Sequence, residues 1–171
     1  SKIESSNEYK PYMYITSVNR EYFDELKLIE GDIPKNENEI VISNHVITNG
    51  GLDYKVGDIV TFTYGSRNID GNITLANNEL VDGEFLTNGG THTYKIVGIV
   101  DRSNFESYSA SGYTAFTVDV NSDNGNVNLY VMFNKNKNII KQSEELAKEL
   151  NYNGDINYNS TLLALYGEST Y

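Results

Sequence analysis

Leu28-Ile29-Glu30-Gly31-Asp32-Ile33-Pro34-Lys35-Asn36-Glu37-Asn38-Glu39-Ile40-Val41-Ile42-Ser43 reads as a stop, a polar tip and a strand. Gly31 admits positive φ, and Pro34 locks φ and lacks an N–H, so together they end whatever precedes them. Lys35 to Asn38 form the tip. Glu39-Ile40-Val41-Ile42 then begins a β-branched strand of the kind that packs on a pleated surface.

The pattern on either side of this stretch is mostly β. Lys10 to Val18 reads as the first strand. Asn19 follows as a helix cap for a short helix over Arg20–Lys27, with Tyr22, Phe23 and Leu26 on its apolar face. After Ser43, a brief helical turn over Val46 and Ile47 closes at Asn49-Gly50-Gly51. Asp58 to Tyr64 alternates, Ile59, Thr61 and Thr63 against Val60, Phe62 and Tyr64. Asp70-Gly71 and Asp82-Gly83 are hairpin signals, so Gly65 to Gly90 reads as one or two protruding hairpins. Thr91–Val100, Tyr113–Val120 and Val127–Phe133 read as further strands, the last preceded by a turn at Asn121–Asn126. Asn138 opens the clearest helix, Ile139–Leu150, whose stripe places Leu146 and Leu150 in a core and Glu145 and Lys148 outside. A short strand at Asp155–Tyr158 and a helical start beyond Asn159 finish the chain.

Composition excludes several classes. The chain of 171 residues has 14 tyrosines, 2 prolines and no cysteine, so disulfide frameworks and thiolate zinc sites drop out. A net charge of −11 argues against nucleic acid and against an anionic bilayer face, and favours cationic partners. No apolar run approaches the roughly 20 residues that span a bilayer. The opening Ser-Lys-Ile-Glu has no signal-peptide character, and the missing initiator Met suggests a fragment cut from a longer chain.

Three segments in order, Glu30-Gly31-Asp32-Ile33-Pro34-Lys35-Asn36-Glu37-Asn38-Glu39-Ile40-Val41-Ile42-Ser43, then Lys55-Val56-Gly57-Asp58, then Tyr94-Lys95-Ile96-Val97-Gly98-Ile99-Val100, resemble the extracytoplasmic (MacB-like periplasmic core) domain of FtsX/MacB-like ABC transporter permeases of the Firmicutes type. Ser17-Val18-Asn19-Arg20-Glu21-Tyr22-Phe23 is similar to the family's strand-to-helix opening, and Tyr158-Asn159-Ser160-Thr161-Leu162-Leu163 with Gly167 to its approach to the second membrane helix. The resemblance implies an α+β fold. In it, residues 1–34 and 126–171 form a porter-like α/β subdomain lacking its first strand and helix, and residues 35–125 form an inserted β-rich, Sabre-like subdomain. It also implies a non-catalytic domain on the extracellular side of the cell membrane, without cofactor. Such a domain couples helix motion driven by a cytoplasmic ATPase subunit to an external substrate or partner, alongside a second permease subunit. Tyr158, Asn159, Leu162, Leu163 and Leu165 are the expected coupling segment, and a cationic peptide or envelope protein is the expected contact.

Chemical motifs are sparse. His45 and His92 lack the i, i+4 partner of a helical metal pair and read as structural histidines. Asp119 to Gly125 has the oxygen-rich look of a calcium loop, but its glycine falls seventh and no closing Glu follows; turn chemistry accounts for it. Ser109-Ala110-Ser111-Gly112 is not a Gly-x-Ser-x-Gly elbow. Glu30 and Asp32 read as solvated loop carboxylates rather than a hydrolytic pair. The tyrosines leave one alternative: a secreted or cell-surface binding module that recognises a glycan or peptide through Tyr-rich hairpins.

Overall fold

The computed structural model describes residues 1–70, 72–73, 77–87, 89–104, 106–118, 131, 133, 137–156, 158 and 160–168. It is mixed α+β, dominated by sheet with few helices, and falls into two compact units, Ser1–Asn124 and Gly125–Tyr171.

In the first unit, β1 (Tyr12–Val18) leads into a 3-10 helix, Arg20–Glu25. There follow β2 (Leu28–Gly31), β3 (Glu39–Ser43), α1 (Asn44–Thr48) and β4 (Ile59–Tyr64). A six-stranded sheet has the order β1-β9-β3-β8-β2, with β4 also on β8, where β8 is Gly90–Val100 and β9 is Gly112–Val118. β1 runs parallel to β9, and β3 parallel to β8; the remaining pairs are antiparallel. β5 (Arg67–Ile69), β6 (Asn72–Ile73) and β7 (Phe85–Leu86) make a small second sheet.

Alternation along β3 and β9 divides the core between the two faces of the large sheet. Ile40, Ile42, Tyr113 and Ala115 join Met13, Phe62, Tyr94, Ile96 and Val46 of α1 on one face. Val41, Phe116 and Val118 join Val18, Val100 and the Tyr22–Phe23 pair of the 3-10 helix on the other. β3 and β9 are covered on both sides, so nearly every residue of both is buried, Thr114 and Thr117 included.

Several expectations change in the structure. Leu28–Gly31 is a strand on β8 although all four residues are exposed; without a buried face it carries no period-2 signal. The helix after Asn19 is 3-10, and the Asn19 side chain makes no capping hydrogen bond. Ser43, by contrast, accepts from the His45 N–H and caps α1. Asp70 turns the β5–β6 hairpin at φ +49°, whereas Asp82-Gly83 lies in a tight turn closed by Glu84 N–H to Val81 C=O, before β7. β1 and β2, from before residue 35, share hydrogen-bonded ladders with β8, β9 and their neighbours from after it. At residue 35 the chain is in the connection from β2 to β3, each of which pairs with β8.

In the second unit, α2 is Ile139–Glu149 and α3 is Ser160–Leu165. Asn138 stands at the α2 N-cap in the left-handed region without a side-chain cap; the Glu168 carboxylate takes that role, accepting from the Ile139 and Ile140 N–H groups at 3.1 and 3.5 Å. The stripe of α2 is half-buried at Leu146, while Leu150, expected in the core, is 55% exposed. Asp155, Ile156 and Tyr158 belong to no strand. The turn expected at 121–126 and most of the strand expected at 127–133 lie outside the described residues. No helix among the described residues is long and apolar enough to cross a membrane.

Candidate functional site

The three segments quoted for the family resemblance meet at one place. β8 bulges at Val97, where its register with β3 skips between Ile40 and Val41. There β2 ends and the approach to β4 begins, both on the edge of β8 away from β3. Asp32 N–H donates to Val97 C=O at 2.9 Å, Gly57 N–H to Ile96 C=O at 2.7 Å, and Ile96 N–H to Asp58 C=O at 2.8 Å. Gly31 sits at φ +82°, and a Cβ there would lie 2.2 Å from Val97 O; a Cβ on Gly98 would lie 2.3 Å from Asp32 O. Glycine is required at both because backbone crosses backbone. An open cleft of about 360 Å³ lies over this joint, flanked by Lys35, Glu39 and Lys95.

Gly31→Ala is expected to cost about 2–4 kcal/mol, combining positive φ with the clash. Gly57→Ala, at φ +101° with nothing within 4 Å of the added Cβ, should lose only about 1–2 kcal/mol. Urea midpoints of the two variants measure the contrast.

A second constellation surrounds Glu106, whose side chain is fully buried. Its Oε1 lies 3.5 Å from Lys10 Nζ, 3.1 Å from His45 Nδ1 and 3.2 Å from Arg102 Nε. Its Oε2 accepts from Thr114 N–H at 3.3 Å and Thr114 Oγ1–H at 2.9 Å. Lys10 also donates to Ala110 C=O and lies over the Tyr113 ring, with His45 edge-on to the same ring. Burial holds the Lys10 ammonium below its usual pKa while the Glu106 carboxylate pulls it the other way. Every lobe of the carboxylate is engaged and the lysine is enclosed, so the cluster pins the β8–β9 connection to β1 and α1. Tyr108, on that connection, is 91% exposed with Arg102 stacked against it at 4.9 Å.

The third constellation ties the small sheet. Arg67 donates from Nε to Glu84 Oε1 at 2.8 Å and from Nη2 to Oε2 at 2.5 Å, and also reaches the Asn78 and Glu79 carbonyls. The ion pair is almost wholly enclosed. Burial alone raises the Glu84 carboxyl, but Arg67, the Val81 N–H and the Tyr12 hydroxyl outweigh it and hold its pKa at about 2. Burial, and then Glu84, push Tyr12 up to about 12.

The residues expected to act are scattered. His45 bonds Glu106; His92 stacks on Tyr94 at 4.5 Å, and its buried Nε2 has no partner among the described residues. Among the described residues no group of three or more His, Asp or Glu side chains is arranged to hold a metal. Asp32 pairs with Lys35 at the surface. Of the expected coupling segment, Tyr158 hydroxyl meets Ser143 Oγ at 2.9 Å, Leu163 is buried and Leu165 is 78% exposed. Asn159 and the side chain of Leu162 fall outside the described residues. Tyr12, Tyr22, Tyr94 and Tyr113 are core residues, so the tyrosine content is in good part structural. Lys10, Arg67, Glu84, Arg102 and Glu106 are absent from the sequence-based candidates; each is an ordinary charged residue until the fold brings distant segments together. Compared with known proteins, the chain matches no family model, no curated protein and no solved structure.

Proposed function

We propose that this chain is a non-catalytic extracytoplasmic domain of an FtsX/MacB-like ABC transporter permease, coupling ATP-driven motion of membrane helices to an extracellular partner. The observation that carries the reading is the joint on β8. The three segments that resemble the family are distant in sequence, yet they interlock at a single crossing of backbones, where Gly31 and Gly98 leave no room for a Cβ and Gly57 N–H bonds Ile96 C=O. Their order and the glycines at 31 and 98 therefore express one packing requirement, a more demanding likeness than three unrelated short motifs. In this reading the cytoplasmic ATPase and a second permease subunit act through membrane helices outside the 171 residues, the porter-like and Sabre-like division belongs to the same proposal, and residues 158–165 carry the motion.

These 171 residues contain no cysteine, so a cysteine introduced here is the only thiol of the domain. Tyr108→Cys in the parent protein, at the most exposed large hydrophobic side chain among the described residues, is expected to react with a membrane-impermeant maleimide in intact cells, and the parent is expected to co-purify with an ATPase subunit. Labelling only after permeabilisation, or a parent without membrane helices, defeats the reading.

A further inference from the structure

We propose that the outer edge of β4 accepts an added strand, supplied by an extended cationic peptide segment with apolar residues at alternate positions. In the β4–β8 ladder, Ile96 bonds Asp58 and the pairs continue Ile59 with Lys95 through Tyr64 with Gly90. Antiparallel alternation then directs the N–H and C=O groups of Val60, Phe62 and Tyr64 toward β8, and those of Ile59, Thr61 and Thr63 outward. The Thr61 and Thr93 hydroxyls, 2.8 Å apart, fit a pair of the closer, non-hydrogen-bonded kind. Among the described residues, no backbone partner meets the outward groups.

Among the described residues, the other edges of the large sheet are partly occupied or shorter. The start of the β1 edge is occupied by the first residues, Met13 N–H donating to Ser1 C=O and Ile3 N–H to Pro11 C=O. β2 is four residues long. β4 has six residues, Ile-Val-Thr-Phe-Thr-Tyr, without the lysine, proline or inward charge that ordinarily guards an edge.

The two faces of β4 define the added strand. Val60 and Tyr64 are half-buried against the core, so apolar residues of an incoming strand on that side extend the core over them. Ile59, Thr61 and Thr63 are exposed on the other side, where polar residues fit. Charge selects the occupant. A second copy brings −11 against −11, whereas a cationic segment is drawn to the protein. Strand addition supplies main-chain hydrogen bonds for affinity and alternate side chains for specificity.

The test is amide hydrogen exchange of the 171-residue chain by NMR with the probe acetyl-Lys-Val-Thr-Val-Lys-Val-Thr-amide. At ten times its Kd, exchange at Ile59, Thr61 and Thr63 is expected to slow about tenfold, by mass action. The same peptide N-methylated at the valine amides on one edge, or at the lysine and threonine amides on the other, is expected to lose its effect in whichever form blocks the pairing edge. Thr61→Pro removes an outward donor without removing a β4–β8 bond, and should abolish binding with the circular dichroism unchanged. If that variant fails to fold, the N-methylated pair decides alone. Unchanged exchange with the probe, equal slowing by both N-methylated forms, or equal slowing by a peptide with Glu in place of Lys overturns the proposal. So does protection of the same amides that grows with protein concentration in the absence of peptide, which assigns the edge to a second copy. Failure here leaves the permease reading standing, because that reading rests on the joint at β8.

Discussion

Glu106→Ala is expected to destabilise the first unit by about 3–5 kcal/mol, the range for removing one partner from a buried ion pair. The carboxylate is enclosed and satisfies Lys10, His45, Arg102 and both donors of Thr114. Taking it away leaves two cations in poorly solvated positions, Lys10 almost buried and Arg102 a quarter exposed. Glu106→Gln keeps the volume but turns a donor toward one set of donors, and should cost about 1–3 kcal/mol. The decisive measurement is a double-mutant cycle with Lys10→Met by urea unfolding. Because the lysine is the more deeply buried of the two stranded charges, the double variant is expected to be more stable than the sum of the single losses predicts, with a coupling of about 0.5–3 kcal/mol. Additive losses would show that the cluster is not acting as a unit. Fast proteolysis within residues 101–111 of Glu106→Ala would locate the released segment, since that connection hangs on the buried carboxylate.

The same cluster shows where sequence reading stops. β3, β8 and β9 are legible because β-branched and aromatic runs bounded by turn residues have few alternatives. Ser43 as a helix cap and Gly31 as a stop are legible because their chemistry is local. β2 is not, since a strand whose side chains are all exposed owes its existence to β8 rather than to its own pattern. Leu150 illustrates a different failure. A stripe at helical spacing says which face of α2 is apolar, but says nothing of how far along the helix a neighbour extends. Lys10, His45 and Glu106 have no local signature at all; Lys10 reaches a carbonyl 100 residues away, and His45 a carboxylate 61 residues away. Long-range ion pairs are set by topology. The glycines of the β8 joint lie between these extremes: their presence was visible, but the backbone crossing that requires them was not.

Arg67→Ala should cost about 3–5 kcal/mol near neutral pH, and the loss should shrink as the solution is acidified. Glu84 in the folded protein titrates at about 2, against an ordinary value of 4.5. A carboxyl whose folded pKa lies below its unfolded pKa stabilises the fold fully above about pH 4.5, and this contribution disappears as pH falls through about 2. The difference corresponds to about 3 kcal/mol. Arg67 is the strongest reason for that low value, so in Arg67→Ala the carboxyl is buried without its cation and rises toward, then above, the ordinary range. Protonation then relieves the variant while it harms the parent. Exposed carboxylates such as Asp32 and Asp101 also titrate low, and they contribute equally to both proteins, so the quantity to follow is the stability difference. Measured by urea unfolding at pH 7, 5 and 3, it is expected to narrow as the pH falls through the raised Glu84 pKa of the variant and to be smallest at 3. Tyr12→Phe removes one of the three groups that hold Glu84 ionised, and should show a smaller loss with the same pH dependence. A difference that does not change between pH 5 and 3 would mean that Arg67 stabilises through its bonds to the Asn78 and Glu79 carbonyls alone, and that the buried carboxylate contributes nothing to the small sheet.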